Sequence, residues 1–311
     1  MRLTTAGRAR RGFTLMEMLI AVTLLAVVAG GVLGVLRRQQ RFYRGARDQL
    51  ATRSNLRMAL GLMPSDLRGV SSVGNDIYLM NDRRIEFRAT FGSSLICTIP
   101  VAGGNSIVIP PRTLARDGEL TTWNRTPEVG DSLLIYDNNT AVGDADDTWR
   151  VYRVNAILPL VGGCPTTTGF TTVADAAQSA YQITLNGNVT NTMAIGAPVR
   201  FFRKTVYQLY QASNQKWYLG WQDCLDTRAV ACSAVQPISG PYKSAVTTAG
   251  QSGLTLTYYD SLNAVTAVPA RVSRIEVVVR ADENATTDDR KSYTAGKKDT
   301  LNTMIGLRNR S

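Results

Sequence analysis

From Phe13 to Leu36 the chain is almost uninterruptedly apolar: Glu17 is the one ionisable side chain there, and Thr14 and Thr23 are the only other polar ones. As a helix rising about 1.5 Å per residue, this run would reach about 36 Å, enough to cross the hydrocarbon core of a bilayer. Residues 37–63 then mix arginines with good helix formers and contain no proline, so the helix is expected to continue. Ala46 and Leu50, then Leu56, Leu60 and Met63, recur at intervals of three or four, a stripe that predicts a side facing a core. Pro64 is expected to end or kink the helix. A helix from 13 to about 63 would be roughly 75 Å long.

After Asp66 the periodicity switches to short alternating runs between turn residues, which predicts strands. These are Ile77–Met80, Arg84–Thr90, Leu95–Ile99, Ser106–Ile109, Ser132–Tyr136, Trp149–Ile157, Tyr181–Leu185, Val199–Tyr210, Lys216–Trp221, Leu254–Tyr259, Val272–Arg280 and Thr303–Leu307. Ile275, Val277 and Val279 alternate with Arg274, Glu276 and Val278, the pattern of a half-buried strand. Residues 160–180 and 223–250 read as long loops, and 282–299 as a polar mobile one. The fold class is α+β: a long N-terminal transmembrane and stem helix packed on a β-rich, mainly antiparallel globular domain. Three segments follow: 1–12, 13–66 and 67–311.

The formal charge of +11 is unevenly placed. Residues 1–12 hold four arginines and no acid, and residues 37–57 hold seven arginines and one aspartate. Setting aside those +4 and +6 and the −1 of Glu17, residues 58–311 carry only +2. The high isoelectric point therefore says little about nucleic-acid binding by the body. Histidine is absent, which removes imidazole as base or metal ligand. No nucleophile elbow, phosphate loop or metal motif is present, so an enzyme is not expected. Cys97, Cys164, Cys224 and Cys232 all follow the apolar run and form no CxxC; in a translocated domain they are expected to form disulfides. Four cysteines allow three pairings. Cys224–Cys232 would close a short loop and is favoured, leaving Cys97–Cys164.

The run Arg11-Gly12-Phe13-Thr14-Leu15-Met16-Glu17-Met18-Leu19-Ile20 resembles the class III signal of type IV prepilins: a basic leader, Gly before the cut, Phe after it, Glu at the fifth mature position, and an apolar helix. The resemblance implies that residues 1–12 are a leader removed by the prepilin peptidase between Gly12 and Phe13, and that Phe13 is N-methylated. It also implies a pilin-like fold without cofactor or metal, and a span from Phe13 to Leu36. The protein would lie first in the bacterial inner membrane, its domain periplasmic, and then in a pilus at the cell surface. Expected partners are major and minor pilin subunits, the peptidase, the inner-membrane assembly platform and the cytoplasmic membrane. A carboxylate within a span costs about 2.5–3.5 kcal/mol at the bilayer centre; a neighbour's Glu17 pairing with the new ammonium at Phe13 would set the register of assembly. Major pilins are generally much shorter. Leu56–Arg68, Leu254–Asp260, and Val272–Val279 followed by Leu307-Arg308-Asn309 are similar to PilW-type minor pilins and J-type pseudopilins, members of which prime assembly or sit near the filament tip.

Other readings compete. An ordinary secretory signal would use Val27 and Ala29 for a cut before Gly30, but Glu17 and the helical continuation oppose it. Arg37, Arg38, Arg41, Arg44 and Arg47 rival the leader arginines, so charge bias does not orient the span. Gly30, Gly31 and Gly34 weaken the helix or admit close helix packing. Asp137, Asn138 and Asn139 with Asp144, Asp146 and Asp147 form an oxygen-rich set that a solvated loop explains better than calcium. Asp282, Glu283, Asp288 and Asp289 are weaker still as ligands. The arginine stem could touch DNA phosphates in a transformation pilus, although neighbouring subunits or lipid explain it better. Trp217, Tyr218, Trp221, Tyr258 and Tyr259 read as sheet packing.

Overall fold

The computed structural model describes residues 14–116, 118–139, 146–225, 232–248, 250–282 and 300–307. The described chain divides into two compact units, residues up to Ala51 falling in the first and those from Thr52 on in the second. In the first unit the described residues are helical from Leu15 onward, and every one from Thr14 to Arg44 is exposed.

Helix α1 is Leu15–Leu67. From Thr52 it belongs to the second unit, where Leu56, Ala59, Met63 and Leu67 are buried at spacings of three and four, as an amphipathic helix requires. Leu60 is only partly buried beside them, and Leu50, predicted on the same stripe, is exposed; it lies in the first unit. Pro64 neither ends the helix nor sits at its last residue: Arg68 N–H donates to Pro64 O at 3.1 Å, closing one further turn. Asn55 Nδ2 donates to Gly240 O at 2.8 Å, and Tyr207 Oη donates to Asp66 Oδ2 at 2.8 Å.

The body is built on β1 (Ile77–Met80), β2 (Arg84–Leu95), β3 (Ser106–Ile109), β4 (Thr122–Trp123), β5 (Ser132–Asp137), β6 (Thr148–Val161), β7 (Ser179–Leu185), β8 (Pro198–Gln211), β9 (Trp217–Cys224), β10 (Gln236–Tyr242), β11 (Leu254–Tyr259), β12 (Arg274–Arg280) and β13 (Thr300–Gly306). All these strands pair antiparallel. The larger sheet has the order β1-β2-β8-β5-β6-β7-β3, with β9 beside β8, β10 beside β9 and β4 beside β2. The smaller is β11-β12-β13. Long β8 is the hub: β2 pairs along one edge, while β5 takes residues 199–202 and β9 residues 204–211 on the other.

The described residues hold two large hydrophobic cores and a small third around Cys97, Cys164, Val108 and Ala180. One gathers the helical stripe, Phe87, Tyr207, Leu219, Tyr242 and the inward residues of β11, β12 and β13. The other gathers Leu133, Ile135, Val154, Ile183, Val199 and Phe201 around Trp123.

Two strand predictions need correction. Arg84–Thr90 and the start of Leu95–Ile99 are one strand, β2: Phe91 is the extra residue of a bulge at the register shift between Thr90 and Gly92, and Gly92, Ser93 and Ser94 then pair in step with β8. A Cβ on Gly92 would lie 2.9 Å from Trp123 Cβ, so the glycine is what lets β4 approach. Residues 223–250, read as a loop, contain β10; its Pro237 and Pro241 are tolerated because β9 is its one strand partner, with a single bridge from Tyr242 to Ala281 on the other side, as an edge strand can. The predicted loop at 160–180 holds two short 3₁₀ turns, Thr166–Thr168 and Val173–Ala177. The predicted mobile loop at 282–299 lies, from residue 283 on, outside the described residues.

Candidate functional site

The described chain starts one residue past the expected cleavage point. Gly12 and Phe13 lie outside the described residues, as do the leader arginines. Thr14 is the N-cap of α1. Its Oγ1 accepts from Glu17 N–H at 3.2 Å; in return Glu17 Oε2 accepts from Thr14 N–H at 3.0 Å and from Thr14 Oγ1 at 3.1 Å. This reciprocal arrangement is a capping box, which satisfies two of the backbone donors that every helix start leaves without partners. Sequence reasoning assigned Glu17 an intersubunit role and missed this local one, although Thr-x-x-Glu before an apolar run is its signature. Within the described residues the cap uses one carboxylate oxygen, Oε2.

Elsewhere along the span polarity is quenched internally. Thr23 Oγ1 donates to Leu19 O and Ile20 O at 3.0 and 2.8 Å. Gly30, Gly31 and Gly34 are helical, and a Cβ added to any of them would meet nothing within 4 Å; their cost of about 1 kcal/mol each against Ala leaves a smooth strip for another helix. Leu15–Arg44 is long and apolar enough to cross a membrane by length and composition. Leu15 is 83% exposed and Val27 74%. An exposed apolar surface of that extent requires lipid or protein to cover it. Arg37, Arg38, Arg41 and Arg44 are exposed below the apolar run.

The remaining predicted residues fall in the second unit. Cys97 is bonded to Cys164 and Cys224 to Cys232, with Cα separations of 5.3 and 4.2 Å. The first pair packs with Val108, Ala180 and Leu160 and fastens the 160–180 region to the segment that follows β2; the second closes a loop in the β9–β10 connection.

Asp137 is no surface ligand. Its side chain is fully buried. Oδ2 accepts from Arg150 Nε and from Thr190 Oγ1 at 2.6 Å; Oδ1 accepts from Thr192 Oγ1 at 2.9 Å and Asn139 N–H at 3.2 Å. Burial pushes the carboxyl up, but hydrogen bonds from Thr190, Arg150, Thr192 and Asn139 outweigh it and hold it at about 2. Both oxygens are occupied, so the calcium reading loses its first ligand; Asp144 lies outside the described residues, as do Glu283, Asp288 and Asp289. Trp217 and Trp221 pack against the helix-side core. Tyr218 projects to the other face of β9, 6.3 Å from Tyr210 between ring centres. Tyr258 is buried, its hydroxyl donating to Asn81 O at 3.0 Å.

A family model, the prokaryotic N-terminal methylation motif, matches residues 7–33. That match spans the expected cleavage point, Glu17 and most of the apolar run, and it identifies a class III signal of the type IV pilin-like and pseudopilin kind. No curated protein and no solved structure matches the chain significantly.

Proposed function

We propose that this chain is a minor type IV pilin, a non-enzymatic subunit cleaved after Gly12, methylated on Phe13, and incorporated into a pilus through α1, where it primes or tops the filament. The observation that carries this reading is a single acid, one turn into an exposed apolar helix, inside a matched methylation motif. A lone secretory helix has no use for a carboxylate there, whereas a polymerising helix can neutralise it against a neighbour's terminal ammonium. The size of the body supports a minor rather than a major subunit, since at 311 residues the chain is much longer than major pilins generally are. The two disulfides suit a domain working in an oxidising compartment.

Mass spectrometry of the mature N-terminus tests the proposal. A methylated Phe13 is expected; a chain starting at Gly30, or one retaining Met1, overturns it. Pseudopilins share the motif, so a deletion strain separates the two machines: loss of pili supports the proposal, and loss of protein secretion with normal pili assigns the subunit to a secretion system.

A further inference from the structure

The strands that end the two sheets are protected against further pairing, with one exception. β1 and β3 are four residues long, and β10 carries two prolines. The outer side of β11 is occupied: Leu256 N–H donates to Asp82 O at 2.8 Å, Thr266 N–H to Tyr258 O at 2.9 Å, and Tyr259 bridges Val265. β13 has seven residues, Thr-Leu-Asn-Thr-Met-Ile-Gly, with no charge and no proline. Natural proteins normally blunt such an edge, because its row of open N–H and C=O groups is a template for another strand.

The ladder tells which groups are open. Leu307 N–H donates to Ser273 O, and Val277 pairs with Thr303. By the alternation of an antiparallel ladder, the odd-numbered residues of β13 point their backbone groups at β12, and Asn302 and Met304 point theirs outward. Neither has a backbone hydrogen bond there to a described residue, and Met304 is 50% exposed. On the core side Ile305 is buried, while Leu301 and Thr303 are only partly covered.

We propose that β13 pairs with β13 of a second copy of this chain, about a twofold axis at Thr303, to give a continuous six-stranded sheet. The segment is complementary to itself in this register. Thr303 faces Thr303 of the second copy, Leu301 faces Ile305 and Ile305 faces Leu301 on the core side, and Asn302 faces Met304 on the solvent side. β-Branched and apolar cross-strand pairs of this kind stabilise antiparallel sheets, and no like charges oppose. The outward backbone groups of Asn302 and Met304 meet in the two hydrogen-bonded pairs beside the axis, which leaves Thr303 at a close, non-hydrogen-bonded pair. The inference goes beyond the assembly role of α1 and does not depend on it.

Oxidative cross-linking of the full-length, membrane-inserted protein tests it. Opposed Thr303 Cα atoms would be about 4.5 Å apart, within disulfide reach. Two Thr300 residues would be about 20 Å apart along the strands, although Thr300 is the more exposed. Thr303→Cys is expected to give disulfide-linked homodimers at least about tenfold faster than Thr300→Cys. Adding Met304→Pro to Thr303→Cys removes an outward N–H without touching the β12 ladder; protease resistance should persist while cross-linking falls to the Thr300→Cys level. Equal rates for the two cysteine variants, cross-linking that survives the proline, or adducts formed only with a different protein would each overturn self-pairing.

Discussion

Glu17 is both a helix cap and a charge, and Glu17→Gln separates the two. The glutamine carbonyl can accept from Thr14 N–H and Thr14 Oγ1 as Glu17 Oε2 does now, so the helix start survives. Glu17→Ala loses the carboxylate's half of the box, at a cost of about 0.5–2 kcal/mol. In the unassembled subunit the glutamine is the easier side chain to hold near lipid, because it removes an ion that costs about 2.5–3.5 kcal/mol at the bilayer centre. Insertion and cleavage should therefore be unchanged in Glu17→Gln.

Assembly should respond differently. If the carboxylate neutralises a terminal ammonium within an apolar filament core, removing one partner leaves the other uncompensated, a loss of about 3–5 kcal/mol. That corresponds to roughly a hundredfold or more in incorporation, at about 1.4 kcal/mol per factor of ten. The assay is the ratio of sheared-filament to membrane-pool protein for wild type, Glu17→Gln and Glu17→Ala, with each N-terminus verified by mass spectrometry. Both variants should fall together by about two orders of magnitude, the alanine only a few-fold below the glutamine. A glutamine variant that assembles like wild type, beside an alanine variant reduced a few-fold, would show that Glu17 is a helix cap and nothing more.

Three further outcomes concern the body. Asp137 sits at about 2, below the ordinary carboxylate value, so its contribution to stability is complete above about pH 4. That contribution is lost as pH falls through 2. Asp137→Asn should lower the unfolding midpoint at pH 7 and flatten the acid limb of the stability profile, and an unchanged midpoint would contradict the buried node. Asp66 runs the other way: burial raises its pKa despite the Tyr207 hydrogen bond, so ionisation costs stability as pH rises from the unfolded value through the folded one. Asp66→Asn, which keeps an acceptor for Tyr207, should melt higher than wild type at pH 7 and converge with it in acid, whereas a lower Tm at pH 7 would refute this. A Cβ on Gly253 would collide with Lys243 O and lie 2.9 Å from Lys243 N, so Gly253→Ala should destabilise by about 1–3 kcal/mol in denaturant titration.

What the sequence made legible follows the range over which each signal acts. The methylation motif and the apolar run are contiguous, so charge, spacing and hydropathy sufficed for them, and ten of the thirteen strands begin within two residues of a predicted run because alternation is also local. The misreadings mark where local signals give way to partners distant in the chain. Leu50 joins Ala46 by spacing, but six residues place it about 120° round the helix from Leu56, whose face is the one buried with Ala59, Met63 and Leu67. β10 was hidden because prolines and a glycine normally stop a strand; that its one strand partner is β9 is a property of topology. Asp137 read as loop chemistry because Asn138 and Asn139 follow it, while the groups that bury it, Thr190 and Thr192, are more than fifty residues away. The capping box is the instructive exception. Thr14 and Glu17 are three residues apart and the pattern was in plain view, but a carboxylate in a membrane span already had a long-range explanation. A residue can satisfy both demands at once, because capping uses one oxygen and pairing can use the other. The cap holds Glu17 through Oε2 on Thr14, so the charge is anchored at the helix start before any neighbour arrives.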